Sequence, residues 1–522
     1  MIKTLAYSCS VVASWALIIS NAYGWDIFHD STRQTQTAID GIGQTIIPPS
    51  NSDLTLDALE TVPTGPPVIS AGEVPAEVPI ARKDSAVIQF KPQASQAEIQ
   101  NYISKYNMTL VETYPSIGAV RVETDLGQFS GTLPNNSIST SDALEKYLHI
   151  TNEMKQDPLV LNATPDFVLK AQEDIPENES IEMAQSVIGA QSLSDGKTVD
   201  WGVTNIGADR YWDLAETQDG TVFGVMDTGF SRHEDLSFVD FNEDAASDHG
   251  NHVAGIACAR HNSKGVNGVL PNCFIRARSS SVTHTGSGQP QLQLLVTFGQ
   301  VLAALQDFVG TADDVKTFNV SLGYNWMASF KINPDAPESD GWRALVESQG
   351  VILLSMLNVA SQRDKFIFSA AGNDSTGLQT PIRAKYSSPM NWAAIVARET
   401  GQPSSAVVVE AHDRDGKRAP FSDVGGDLSC PGVDILSVVA FDSDKKLSRT
   451  SYGRMSGTSM AAPYCAAGFQ LFRMMRPKLT GKEALECLKR GQRRNEDGVP
   501  EMFLPEALGA CPASVKLSSS DE

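Results

Sequence analysis

The chain has 522 residues, more than one hydrophobic core ordinarily supports, so two or more domains are expected. Hydrophobic residues make up 41% and charged residues 20%, the balance of an ordinary globular protein. The formal net charge of -21 argues against nucleic acid as a partner and against docking on anionic lipid, both of which need a basic surface.

Residues 1–24 read as a signal peptide. Lys3 supplies the positive end, Ala6 to Ser20 is mostly apolar, and Ala22-Tyr23-Gly24 ends the segment in small residues. That run is shorter than the ~20 residues a bilayer span needs, and no later stretch reads as a span. The expected destination is the periplasm or the cell exterior, with no membrane anchor. Six cysteines follow the signal: Cys258, Cys273, Cys430, Cys465, Cys487 and Cys511. An even number in an exported chain favours disulfides, and without a CxxC pair a zinc site is not expected; sequence leaves every pairing open.

Residues 25–83 are rich in Pro, Thr, Gly and Ser and read as a disordered linker. At 84 the texture changes. Ala86 to Phe90 alternates like a strand, and Ser95 can cap a helix over 96–106 with Ile99, Tyr102 and Ile103 on one face. Strands are predicted at 110–112 and 119–122, a second helix at 143–154, and two strand-like pieces at 158–160 and 167–169. Residues 84–171 are therefore expected to form a small α+β domain. The acidic stretch 172–197 reads as an exposed linker suited to cutting. From 198 to about 510, strands predicted at 222–226, 315–320, 366–369 and 407–409 alternate with helices, which predicts an α/β domain with a parallel sheet. Residues 511–522 are a tail.

Three short motifs stand in the order Asp, His, Ser. Val225-Met226-Asp227-Thr228-Gly229 ends a strand, His249-Gly250-Asn251-His252 opens a helix, and Ser456-Gly457-Thr458-Ser459-Met460-Ala461 opens another. A serine hydroxyl is a poor nucleophile until a base takes its proton. Imidazole suits that task near neutrality, and a buried carboxylate holds it in the correct tautomer. A helix start beside the serine adds backbone N–H groups where negative charge develops.

These motifs resemble the subtilisin family over about 201–510. The resemblance implies that Asp227 orients the base, His249 is the base and Ser459 the nucleophile. Ser369-Ala370-Ala371-Gly372-Asn373 is similar to the family's oxyanion segment, so Asn373 is the expected donor. Gly286, Ser287 and Gly288, with Ser321, Leu322 and Gly323, match the two edges that flank an extended substrate. Asn251 stands where the family usually has Thr, and His252, His233 and His412 are read as packing residues. Residues 84–171 resemble the family's inhibitory prosegment, whose C-terminal part, Phe167 to Ala171, is expected in the substrate cleft. A structural calcium at Asp235 and Asn262 is a further implication; no cofactor is required for the chemistry. The expected partners are polypeptide substrates and the chain's own prosegment, acting on a monomer.

The reading that follows is a secreted serine endopeptidase matured by loss of its prosegment. A catalytically silent scaffold is the alternative, but a relative of that kind should have lost a triad residue. An α/β-hydrolase esterase would place its serine in a Gly-x-Ser-x-Gly elbow before Asp and His, which this order lacks.

Overall fold

The computed structural model describes residues 59–63, 77–129, 140–171, 175–181, 191–192, 198–216, 220–243, 247–262, 264–279 and 295–511. The signal at 1–24, the tail at 512–522 and the edge at 286–288 lie outside these residues.

The first unit is built from β1 (Leu59–Pro63), β2 (Glu77–Phe90), α1 (Gln96–Lys105), β3 (Thr109–Tyr114), β4 (Ala119–Glu123), α2 (Thr140–Met154) and β5 (Val160–Ala171). The strands pair antiparallel in the order β5-β2-β4-β3, and β1 pairs with the start of β2. Ser95 caps α1: its hydroxyl accepts from the Glu98 N–H, and the Glu98 carboxylate accepts from the Ser95 N–H. Ile99, Tyr102 and Ile103 then face inward, as the helical spacing predicts.

Two expectations for this unit are corrected. β2 begins at Glu77 and recruits β1, so part of the stretch read as linker is strand. Pro63 and Pro79 hide the alternation, and the pairing is long-range: Ala81 lies opposite Phe167. Of the pieces predicted at 158–160 and 167–169, Val160 and 167–169 belong to one strand, and Pro158 and Leu159 form the turn before it. Pro165 interrupts the apolar pattern yet sits within the pairing, opposite Ala86.

The stretch 172–197 also differs from a plain linker. It contains β6 (Ile175–Ile181) and β7 (Gln191–Ser192); β7 pairs with β8 (Thr198–Val199). The partner of β6 lies far along the chain, which local composition cannot reveal.

The second unit continues with α3 (Trp201–Asn205), α4 (Trp212–Glu216), β9 (Thr221–Asp227), β10 (Phe238–Phe241), α5 (His249–Cys258), β11 (Cys273–Ser279), β12 (Leu295–Thr297), α6 (Phe298–Leu305), β13 (Val315–Val320), β14 (Leu322–Gly323) and α7 (Asp340–Gln362). Next come β15 (Phe366–Ala370), α8 (Pro389–Thr400), β16 (Ala406–His412), β17 (Leu428–Pro431), β18 (Ile435–Val438), β19 (Tyr452–Ser456), α9 (Thr458–Met475), α10 (Gly481–Lys489) and α11 (Leu504–Ala510). A seven-stranded sheet runs in the order β10-β11-β9-β13-β15-β16-β17, parallel throughout. This is the predicted α/β class. A small antiparallel sheet, β18-β19-β6, stands apart from it.

Strand alternation divides the interior in two. Phe318, Val320, Ile367 and Val408 point to one face and share a core with α6, α7, α8 and the first unit. Phe223, Val225, Phe368, Val407 and Val409 point to the other and pack with α5, α9 and α10. The cysteines pair as Cys258–Cys273, Cys430–Cys465 and Cys487–Cys511, all within the second unit. Contrary to the sequence reading, Pro337–Gln362 is long and apolar enough to cross a membrane; here that segment supplies α7, whose Leu345, Ile352, Leu353 and Leu357 are buried in the first core.

The first unit lies against α6 and α7, and β5 runs between two edges of the second unit. Lys170, Leu169 and Val168 pair antiparallel with Leu295, Val296 and Thr297 of β12. Ala171 and Lys170 pair with Leu322 and Gly323 of β14. Asp166 accepts from the Gly299 N–H at the start of α6 (2.7 Å), where the helix dipole favours a carboxylate. Tyr114 donates to the Gly299 carbonyl (2.8 Å), Gln89 to Ser355 (2.9 Å) and the Ser116 N–H to Gln306 (3.0 Å).

Candidate active site

Parallel strands end on one side of their sheet, and loops leaving that side collect functional side chains. Asp227 is the last residue of β9. It is fully buried and accepts from the Thr228 N–H (2.7 Å). His249 opens α5, and its Nδ1 is hydrogen-bonded to the Asp227 carboxylate. Gly250 makes that approach possible: a Cβ there would lie 2.6 Å from the Thr228 carbonyl, which accepts from the Gly250 N–H. Asp248, one residue earlier, accepts from the Ala440 and Phe441 N–H groups (2.8 Å each) and anchors the start of α5; burial pushes its carboxyl up.

Ser459 is the second residue of α9, which packs against α5. Ser459 is 0% exposed and His249 7%. The Gly457 N–H donates to Gly432 (2.8 Å), and Cys430–Cys465 joins β17 to α9, so the helix start is held from two directions. Asn373 follows β15. Its Oδ1 accepts from both the N–H and the hydroxyl of Thr458 (2.9 Å each). The orientation of the amide is thereby set by the residue preceding Ser459.

The other predicted residues divide. Leu322 and Gly323 form the edge that pairs with β5, and Ser321, just before it, is buried and accepts from the Asn319 amide (2.9 Å). The second edge that takes β5 is Leu295–Thr297, a few residues beyond 286–288. Asn251 bonds Ser231 twice, Oδ1 to its N–H (3.1 Å) and Nδ2 to its hydroxyl (3.0 Å). His252 is fully buried and donates from Nε2 to Ile435 (3.0 Å) and Gly453 (3.2 Å); burial, then the nearby His249, lowers its pKa to about 3. His233 and His412 are also buried and lowered to about 4. All three are packing residues, as predicted.

Asp235 and Asn262 do meet, but as partners of each other: Asn262 Nδ2 donates to Asp235 Oδ1 (2.8 Å). Tyr452 donates to Asp235 Oδ2 (3.0 Å), and Asn262 Oδ1 accepts from the Lys264 N–H (2.9 Å). Burial lifts the Asp235 carboxyl to about 7. Calcium is held by a cage of oxygens, and each of these three oxygens accepts one hydrogen bond in the arrangement described. No group of three or more His, Cys, Asp or Glu side chains is placed to hold a metal among the described residues.

The family model for the subtilase family, Peptidase_S8, matches residues 218–503. This chain belongs to the subtilase family. It is 27% identical to the minor extracellular protease Epr of Bacillus subtilis over 378 residues, 67% of this chain and 48% of that protein. It is 27% identical to the alkaline protease of Alkalihalobacillus alcalophilus, covering 58% of this chain and 66% of that one. Subtilisin Savinase of Lederbergia lenta is 27% identical over 56% of this chain and 91% of its own length. Matches thus span about half of Epr and about two thirds of the alkaline protease. Fervidolysin from Fervidobacterium pennivorans, a keratinolytic enzyme related to subtilisin, shares the fold: TM-score 0.54 at 16% identity, covering 88% of this chain and 64% of that one.

Within this subtilase, sequence reasoning missed two buried carboxyls beside Asn373. Asp374 accepts from the Trp326 N–H (3.0 Å) and the Met327 N–H (2.9 Å). Asp423 accepts from the Asp374 N–H (3.1 Å) and from the hydroxyls of Ser375 (2.7 Å) and Ser387 (2.6 Å). The available signal was Asp423 itself, an acid set between Phe421 and Val424.

Proposed function

We propose that this subtilase is a secreted serine endopeptidase, with Ser459 as nucleophile, His249 as base, Asp227 orienting the base and Asn373 donating to the oxyanion. One observation carries the reading: Asp227 engages His249 at Nδ1, which makes Nε2 the nitrogen available for proton transfer. In the reaction, Ser459 Oγ bonds to the scissile carbonyl carbon as Nε2 takes its proton. The carbonyl oxygen becomes an oxyanion, met by the Asn373 amide and by N–H groups at the start of α9. His249 returns the proton to the leaving amine, and water repeats the sequence to release the acid.

Polypeptides are the substrate class, bound as an added strand at the edge Leu322–Gly323 and at Leu295–Thr297. In the precursor β5 takes that place, supporting residues 84–171 as an inhibitory prosegment extended at its start by β1 and β2. Its tether keeps docking intramolecular until it is cut. Export by residues 1–24 is consistent with a relative named as extracellular. The test is peptide cleavage by the processed protein, with Ser459→Ala cut by an added protease in the stretch 172–197 as control. Activity of the parent and none in the control supports the assignment; residual activity within tenfold of the parent sinks it.

A further inference from the structure

We infer that Asp423 is a positioning residue of this reaction: it seats the oxyanion-donor loop Gly372–Asp374 and links it to the substrate edge at β14. The inference rests on the peptidase reading above.

Asn373 is the donor, and the residues on both of its sides touch Asp423. On the C-terminal side, the Asp374 N–H donates to Asp423 Oδ1. On the N-terminal side, the Asp423 N–H donates to the Gly372 carbonyl (3.0 Å), and Gly372 sits directly over Asp423 Oδ2. A Cβ at residue 372 would lie 2.2 Å from that oxygen and 2.6 Å from Ser387 Oγ, and φ there is +120°, so only glycine fits. The donor's backbone is thus held before by the Asp423 main chain and after by the Asp423 side chain, itself 0% exposed.

The same cluster reaches the substrate edge. Ser387, bonded through Oγ to Asp423, accepts at its carbonyl from the Tyr324 N–H (2.9 Å), and Tyr324 directly follows β14. Asp374 holds the next turn through the Trp326 and Met327 N–H groups. The distance between the oxyanion donor and the strand that fixes the substrate is therefore set through Asp374, Asp423 and Ser387. Small displacements of a catalytic donor are costly, because its benefit depends on pre-formed geometry.

Charge fits this role. Asp374, with two N–H donors, is the better place for a negative charge. Burial first, and then Asp374, pushes Asp423 well above the usual carboxylate range. With Oδ2 protonated, the 2.6 Å contact to Ser387 Oγ is donated by Asp423 while Oδ1 still accepts, and an asparagine at 423 would offer the same pattern in nearly the same shape.

The test uses the processed protein and compares Asp423→Ala, Asp423→Asn and Ser387→Ala. For Asp423→Ala the expected result is a fall in kcat of roughly 10- to 100-fold with KM within about twofold, since ground-state binding to the edges persists. Affinity for a peptide aldehyde, whose hemiacetal oxygen on Ser459 meets the donor, should fall in parallel. Asp423→Asn should recover kcat to within about threefold of the parent. Ser387→Ala, which removes one contact, should lose about three- to tenfold and decides the matter if Asp423→Ala does not fold. Kinetics of Asp423→Ala within twofold of the parent, a loss confined to KM, or an Asn variant as impaired as Ala would overturn the inference while leaving the peptidase reading intact. A parent that cleaves no peptide would overturn both.

Discussion

The two faces of the parallel sheet are stabilised differently. On the face toward α5, α9 and α10, the core is closed by the second unit alone, and all three disulfides lie in that unit. On the face toward α6, α7 and α8, the core runs on without a break into the first unit, through Phe167, Tyr147, Ala81 and Val120. The far face can persist when the first unit leaves. The near face gives up apolar burial at that moment, and polar contacts such as Asp166 to Gly299 with it. On the proposed maturation, α6 and α7 are the surface that the processed protein exposes.

The largest effect is expected for Ser459→Ala, which should abolish cleavage and leave the precursor as a single, folded chain. Normal processing of that variant in a protease-free host would contradict self-cleavage. Phe368→Ala, on the far face against Phe469, should cost the processed protein about 3–5 kcal/mol in denaturant unfolding. Phe167→Ala, on the near face against Tyr147, should leave the processed protein unchanged, because β5 is gone by then. An equal loss in both processed variants would refute the division.

A smaller effect is expected for Asp166→Ala. Losing a carboxylate at the start of α6 should loosen β5 and speed labelling of precursor Ser459 by a fluorophosphonate, by about 3- to 30-fold. Unchanged labelling would show that the contact does not hold the inhibitor.

The smallest effect concerns pH. His233, His252 and His412 have folded pKa values of about 4, 3 and 4, below the ordinary 6.5, because burial disfavours their charged forms. Their contribution to stability is present above 6.5 and is lost as pH falls toward 4, since the unfolded chain takes up the protons. Asp235 works in the opposite sense. Its folded value near 7 lies above the ordinary 3.8, so its contribution is present below 3.8 and lost as pH rises through 7. Asp248 and Asp423, also raised by burial, act with Asp235, so the variant carries the test: Asp235→Asn should make Tm of the processed protein fall more, or rise less, between pH 6.5 and 4 than in the parent. An unchanged Tm–pH slope in that variant would contradict the raised Asp235 carboxyl.

The sequence made the parallel sheet and the Asp-His-Ser set legible because each signal is contiguous. Asp227 lies inside the strand that carries it, and His249 and Ser459 open the helices that carry them. Asn373 follows β15 in the same contiguous way, and the structure sets it against Thr458. What escaped was assembled from distant segments. β12 is three residues long and offers no alternation to read. β1 and the start of β2 are held by partners across the unit, and β6 by β19. Asp423 lies 50 positions beyond Asn373 and meets it only because β15 and β16 are neighbours in the sheet. Asp235 and Asn262 were brought together as the sequence suggested, but sequence could not foresee the Tyr452 hydroxyl that takes the second carboxylate oxygen.

The central claim is a serine nucleophile masked by the chain's own β5. It is tested most directly by fluorophosphonate labelling of precursor and processed protein, with the site read by peptide mass mapping. The account predicts near-stoichiometric modification of Ser459 in the processed protein, much slower modification in the precursor, and none in Ser459→Ala. A folded, processed protein that takes up no label at Ser459, or a precursor that labels just as fast, would contradict it.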